Sequence, residues 1–237
     1  PWDKKQTMDS LRHLTIEETY ELCDAILDED MEEVKTELGD LLLHLVFYAK
    51  IGSEKKAFDI ADVLNGICEK LIYRHPHIYG DVEVQDEEEV KRNWEQLKLK
   101  EKGAKSSVLE GVPTSLPALV KAVRMQDKVR GVGFDFPNKK EVWAKVKEEL
   151  AEFEAEVAAN DSTKMKAEFG DLLFSLVNYA RHMDINPEDA LERTNKKFRK
   201  RFQEMEKQIH ADDKNISDMN LPEMDVYWDR VKKQLQG

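Results

Sequence analysis

Half of this chain is a second version of the other half. Glu17-Glu18-Thr19-Tyr20-Glu21 returns as Glu148-Glu149-Leu150-Ala151-Glu152, and Glu37-Leu38-Gly39-Asp40 returns as Glu168-Phe169-Gly170-Asp171, both at an offset of 131 residues. The apolar tail keeps that register: Leu41-Leu42 matches Leu172-Leu173, Leu45-Val46 matches Leu176-Val177, and Tyr48-Ala49 matches Tyr179-Ala180. Further on, Lys70 and Arg74 match Lys197 and Arg201 after a four-residue deletion, and Trp94 falls near Trp228. A repeat of this length means one supersecondary unit used twice, so the 237 residues read as two modest domains rather than one large one.

The unit is helical. Residues are 41% hydrophobic and 36% charged, which suits thin apolar stripes on amphipathic helices. Ten glycines and seven prolines are too few for the many tight turns of an all-β fold. Apolar periodicity predicts helices over Leu14–Leu27, Met31–Ile51, Ile60–Tyr73 and Glu87–Leu99, then Leu119–Val129, Lys139–Ala159, Thr163–Met183, Pro187–Ile209 and Leu221–Leu235. In the second of these, Leu38, Leu41, Leu42, Leu45, Val46 and Tyr48 form a broad apolar face. Asn186 followed by Pro187, Glu188 and Asp189 is a good helix start. Glycine and proline punctuation between Gly103 and Pro117 marks a linker. The expected organisation is an N-terminal repeat over 1–101, a linker over 102–117 and a C-terminal repeat over 118–237. The fold class is all-α, two tandem four-helix units.

Bulk properties exclude several roles. A net charge of -12 argues against a phosphate-tracking nucleic-acid surface. A local cluster of cations or a bound metal still allows a small anionic substrate. Cys23 and Cys68 lack C-x-x-C spacing and read as buried, reduced thiols. No apolar run approaches about 20 residues and no signal peptide is visible, so the expected compartment is the cytoplasm. The sequence opens on Pro1 rather than methionine.

On a helix, positions three and four apart share a face. Glu149 and Glu152 are therefore neighbours flanked by Glu148, and Glu168 and Asp171 are neighbours on the next helix. A short turn around Asn160 and Asp161 brings the two sets to similar heights. Without a cation, each pair of carboxylates ~4 Å apart would cost about 4 kcal/mol even at an effective dielectric of ~20. The arrangement makes sense as a cage for a divalent metal, and hard oxygen donors suit Mg²⁺ or Mn²⁺. The competing di-iron bundle needs a Glu-x-x-His pair. None of the six histidines has a glutamate three residues before it. Gly39 and Gly170, each costing roughly 1 kcal/mol inside a helix, are expected to allow close helix approach.

The pattern Glu148-Glu149-x-x-Glu152…Glu168-x-x-Asp171, with its first-half copy, resembles the MazG family of nucleoside triphosphate pyrophosphohydrolases. Pro1-Trp2-Asp3, Arg74-His75-Pro76-His77 and Val132-Gly133-Phe134-Asp135 extend the resemblance over nearly the whole chain. It implies hydrolysis of the α–β linkage of ribo- or deoxyribonucleoside triphosphates, a nucleotide-pool role, and dimers that complete each bundle. By position, it implies Glu149, Glu152, Glu168 and Asp171 as Mg²⁺ ligands, with Glu148 or Glu149 as general base. Lys145 would bind phosphate, joined by Lys164, Asn195, Lys197 and Arg201, and Trp228 would lie near the base.

The halves are not equivalent in this respect. Glu18, Glu21, Glu37 and Asp40 preserve the metal carboxylates of the first half. Its counterparts of Lys145, Lys164 and Asn195 are Leu14, Glu33 and Cys68. The second repeat is thus expected to be the main catalytic one. The alternative is a non-catalytic helical protein that binds nucleotide or Mg²⁺ in a regulatory or interaction role. Lys145, Lys197 and Arg201 favour phosphate chemistry over that reading.

Overall fold

A computed structural model describes residues 1–86, 89–90, 93–94, 97–98 and 107–235. Among them are nine helices and no strand: α1 Met8–Leu27, α2 Met31–Glu54, α3 Ile60–Arg74, α4 Pro76–Tyr79, α5 Ala118–Arg130, α6 Lys139–Ala159, α7 Ser162–His182, α8 Pro187–Ala211 and α9 Leu221–Gln234. The helix expected over Glu87–Leu99 and the start of the linker lie largely outside the described residues. Two compact units result. One holds Pro1–Gly111 with Asp127–Phe134, the other Val112–Gln126 with Asp135–Gly237. No described helix is long and apolar enough to cross a membrane.

The repeated sequence folds into a repeated helical hairpin. In the first unit α1 packs along α2, and in the second α6 packs along α7. The turns are built alike. Glu29 (φ 58°) and Asn160 (φ 56°) take the left-handed conformation at equivalent positions. The next residues, Asp30 and Asp161, cap the returning helices by accepting from two backbone N–H groups each. This fixes the stagger of each hairpin, and with it the height at which the facing carboxylates meet. Start signals elsewhere are equally local: Thr7 with Ser10 and Asp59 with Asp62 form capping boxes, and Asn186 caps α8 ahead of Pro187. α8 and α9 form a third hairpin, closed by Met205, Ile209, Tyr227 and Val231, and it touches α7 only sparingly.

Three expectations need correction. Cys23 and Cys68 form no disulfide and are exposed rather than buried, because they lie on helix faces that the described residues leave uncovered. Gly39 and Gly170 make no close approach within the chain; a Cβ at either would meet nothing within 4 Å. The apolar face expected on α2 is divided. Leu41 and Tyr48 are half-buried, while Leu38, Leu42, Leu45 and Val46 are 51–60% exposed. Glu37 and His44 are buried instead. Each hairpin thus buries polar groups beside small apolar side chains and leaves most leucines of its second helix exposed or half-buried.

Candidate active site

The facing helices of the hairpins form two equivalent carboxylate triplets. Glu18, Glu21 and Glu37 each place an oxygen within 4.8 Å of the others, and so do Glu149, Glu152 and Glu168. These are the same positions under the 131-residue offset. In each, two members sit one turn apart on the first helix of the hairpin and the third comes from the returning helix. Burial differs between them. Glu37 is buried at 4% exposure and Glu149 at 6%, whereas Glu21 and Glu152 are exposed. Asp40 and Asp171 lie outside the triplets, yet close enough to act on them electrostatically.

Burial and the crowding of like charge shift the acidities. Burial, then Glu21, Glu18 and Glu33, and a side-chain hydrogen bond with Glu18, push the Glu37 carboxyl up to about 7. Glu21 is raised by burial and by Glu18, Glu17, Glu33 and Asp40. In the second unit burial, then Glu152, Asp171, Glu149 and Glu156, raise Glu168. Only the second unit has a cation in place among the described residues. Lys145 Nζ lies 2.8 Å from Glu148 and 2.6 Å from Glu149, one turn along α6. Those hydrogen bonds to Glu148 and Glu149 hold the ammonium above the ordinary lysine range.

The remaining expected substrate residues stand apart from the triplet. Lys164 Nζ is 3.6 Å from Glu156 and 3.9 Å from Asp161, and Asn195 donates to Glu192 at 3.0 Å. Lys197 is exposed, and Arg201 has its Nε buried without a partner. The Trp228 ring lies 5.3 Å from that of Phe198 and packs against the α8–α9 core. No hydrogen bond or ion pair among the described residues joins these five to Glu149, Glu152 or Glu168. Their common feature is position: apart from Lys164, all are carried by the α8–α9 hairpin.

Two polar assemblies escaped the sequence reading. In the first unit Thr15 Oγ1 meets the Leu11 carbonyl at 3.0 Å, His44 Nδ1 at 3.2 Å and the Tyr48 hydroxyl at 2.7 Å. Thr15 has one proton and the carbonyl can only accept, so Thr15 donates there. It therefore accepts from Tyr48 and from His44 Nδ1–H, which fixes the imidazole tautomer. The signal was available: seven and eleven residues beyond Glu37 fall on the same helix face. The second unit has Val146, Ser175 and Tyr179 at these places, with the Tyr179 ring tilted by 43° against that of Trp143 and the centroids 4.8 Å apart. The other assembly anchors the loop after α5. Arg181 grips both oxygens of Asp135, and His182 Nε2 lies 3.2 Å from it. Burial acts to raise the Asp135 carboxyl, but the hydrogen bonds from Arg181 and His182 outweigh it and the net direction is down. With Arg181 lying 46 positions after Asp135, no local pattern announced this pair.

Chemically, the second triplet offers a hard-oxygen cage with an ammonium at its edge, which suits a divalent cation and a phosphate chain together. Comparison with known proteins agrees with that reading. Residues 6–79 and 138–205 both match the model of the MazG nucleotide pyrophosphohydrolase domain. A protein of Escherichia coli (strain K12), named nucleoside triphosphate pyrophosphohydrolase, is 42% identical over 238 residues, spanning 99% of this chain and 90% of its own. One from Thermotoga maritima, named nucleoside triphosphate pyrophosphohydrolase/pyrophosphatase MazG, is 41% identical over 232 residues, covering 98% and 88%. The uncharacterized protein YabN of Bacillus subtilis (strain 168) is 48% identical over 235 residues, which are 98% of this chain but 48% of that one.

Proposed function

The chain belongs to the MazG nucleotide pyrophosphohydrolase family, and from that premise we propose that its second repeat is the main catalytic unit. The protein is a nucleoside triphosphate pyrophosphohydrolase. It adds water across the α–β phosphoanhydride, releasing nucleoside monophosphate and pyrophosphate, a reaction of nucleotide-pool housekeeping.

Glu149, Glu152 and Glu168, with Asp171 beside them, would hold Mg²⁺, or Mn²⁺ in its place. Three carboxylate oxygens within 4.8 Å, one of them on Glu168 whose acidity is suppressed by burial and then by its acidic neighbours, fit such an ion. When bound, the ion would offset negative charge on the phosphate chain and make water more acidic. The chain supplies the rest. Glu148 lies outside the triplet with a side chain 56% exposed, which leaves a carboxylate oxygen to orient the attacking water and accept its proton. Glu149, buried in the triplet, serves as ligand. Lys145 starts on Glu148 and Glu149 and turns to the oxygens of the leaving pyrophosphate, where negative charge grows as the bond breaks. Lys164, Asn195, Lys197 and Arg201 extend that cationic and polar surround, and Trp228 stacks on the base.

A second copy of the chain completes the arrangement. The outward leucines of α2, and Phe169, Leu173, Phe174 and Leu176 of α7 at 40–49% exposure, form apolar faces that water does not favour. Burial of each such side chain is worth about 1.5–3 kcal/mol when complete. Gly39 and Gly170, open on these helices, let another backbone approach closely.

The single observation that carries the assignment to the second repeat is Lys145 against Leu14, a cation at one triplet and a hydrocarbon at the other. Pyrophosphate release from a panel of nucleoside triphosphates with Mg²⁺ tests it. Glu152→Gln should abolish turnover and Glu21→Gln should spare it. Full activity of Glu152→Gln would overturn the assignment.

A further inference from the structure

The two carboxylate triplets share their ligand positions and differ in what already neutralises them. In the second, the Lys145 ammonium sits on Glu149 at 2.6 Å and on Glu148 at 2.8 Å. A divalent ion entering there must share Glu149 with a cation, and the two repel across a short distance. In the first, Leu14 holds the equivalent position, and among the described residues no salt bridge reaches Glu18, Glu21 or Glu37. Glu37 is 4% exposed, contributes an oxygen to the cluster, and leaves its Oε2 buried with no hydrogen-bond partner. A buried carboxylate oxygen without a donor is costly unless a cation meets it.

We propose that the first triplet binds a divalent cation on its own, whereas the second binds one strongly only together with a nucleoside triphosphate, with Lys145 as the internal counterion that imposes this order. The inference rests on the second repeat being the catalytic one. The triphosphate provides the alternative seat for the ammonium. Once Lys145 leaves Glu149 for phosphate oxygens, the carboxylate is free for the metal, so metal and nucleotide raise each other's affinity by the same factor. The second site thus avoids filling with metal while substrate is absent. The first site acts as a resident cation that screens Glu18, Glu21 and Glu37 and holds α1 to α2.

Mn²⁺ binding, read from loss of the free-ion paramagnetic resonance signal, tests this without catalysis. Nucleotide-free wild type should show one strong Mn²⁺ site per chain, lost in Glu21→Gln and retained in Glu152→Gln. Adding a triphosphate with a methylene group at the α–β bridge should reveal a second site that Glu152→Gln removes. The reciprocal exchange is the sharper arm. Lys145→Leu should strengthen nucleotide-free binding at the second triplet by about tenfold or more, and Leu14→Lys should weaken the first by a similar factor. Circular dichroism of each variant verifies that the helices are intact.

Equal nucleotide-free binding at both triplets, no strong site in wild type, or indifference to Lys145→Leu in a folded protein would each overturn the inference. Those outcomes leave the functional assignment standing if pyrophosphate release still depends on Glu152. Activity that persists in Glu152→Gln removes the assignment itself.

Discussion

Glu37 shows how a fold changes the chemistry of one side chain. Unfolded, it ionises near 4.5; folded, burial and the facing Glu21 and Glu18 move it to about 7. Between those values the folded state of metal-free protein holds more protons than the unfolded state. Its contribution to stability is therefore complete below pH ~4.5 and lost as pH rises to about 7. Thermal unfolding in chelator across that window should show the midpoint falling with pH, and Glu37→Gln should flatten the trend. An unchanged slope in the variant would assign the titration to other groups. Asp135 works in the opposite sense, since Arg181 and His182 stabilise its charged form.

At the scale of the helix, the glycines divide by what surrounds them. Gly52, near the end of α2, lies under Phe58: an added Cβ would fall 2.7 Å from the ring and 2.9 Å from the Phe58 carbonyl oxygen. The ring can turn but the backbone oxygen cannot yield as easily. Gly52→Ala should thus destabilise the protein by about 1–3 kcal/mol, outweighing the ~1 kcal/mol of added helix propensity. Urea unfolding measures it, and a variant as stable as wild type would show that the α2–α3 turn relaxes at little cost. Gly39 and Gly170 lie inside their helices with no described residue within 4 Å of an added Cβ, so packing among the described residues does not explain their use.

At the scale of the molecule, much of the large apolar surface faces outward. Each central hairpin buries one glutamate, Glu37 or Glu149, beside a few small apolar side chains and Leu11, while most of its large leucines, and Phe169 and Phe174 in the second, lie exposed. In the proposed dimer these exposed faces would bury against their own copies without disturbing the polar seam. Leu42→Asp combined with Leu173→Asp should turn a dimer into a monomer in analytical ultracentrifugation while keeping the helical signal. Wild type that sediments as a monomer at micromolar concentration would remove the dimer from the proposed function.

Much of this was legible in the sequence because it is local. The repeat, the helix start at Asn186, and the i, i+3 pairing of Glu18 with Glu21 and of Glu149 with Glu152 follow from periodicity and capping chemistry alone, whereas the first helix starts at Met8 behind the Thr7 cap, six residues ahead of the expected Leu14. The equivalence of the two triplets follows from the common offset once the two turns are known to match. Tertiary structure decided the rest. It put Glu37 and His44 rather than Leu38 and Leu42 into the seam, left Cys23 and Cys68 exposed, and paired Asp135 with Arg181. These outcomes depend on which face of a helix meets which neighbour. An apolar stripe reveals that a face will be covered, but not whether its own chain or another will cover it.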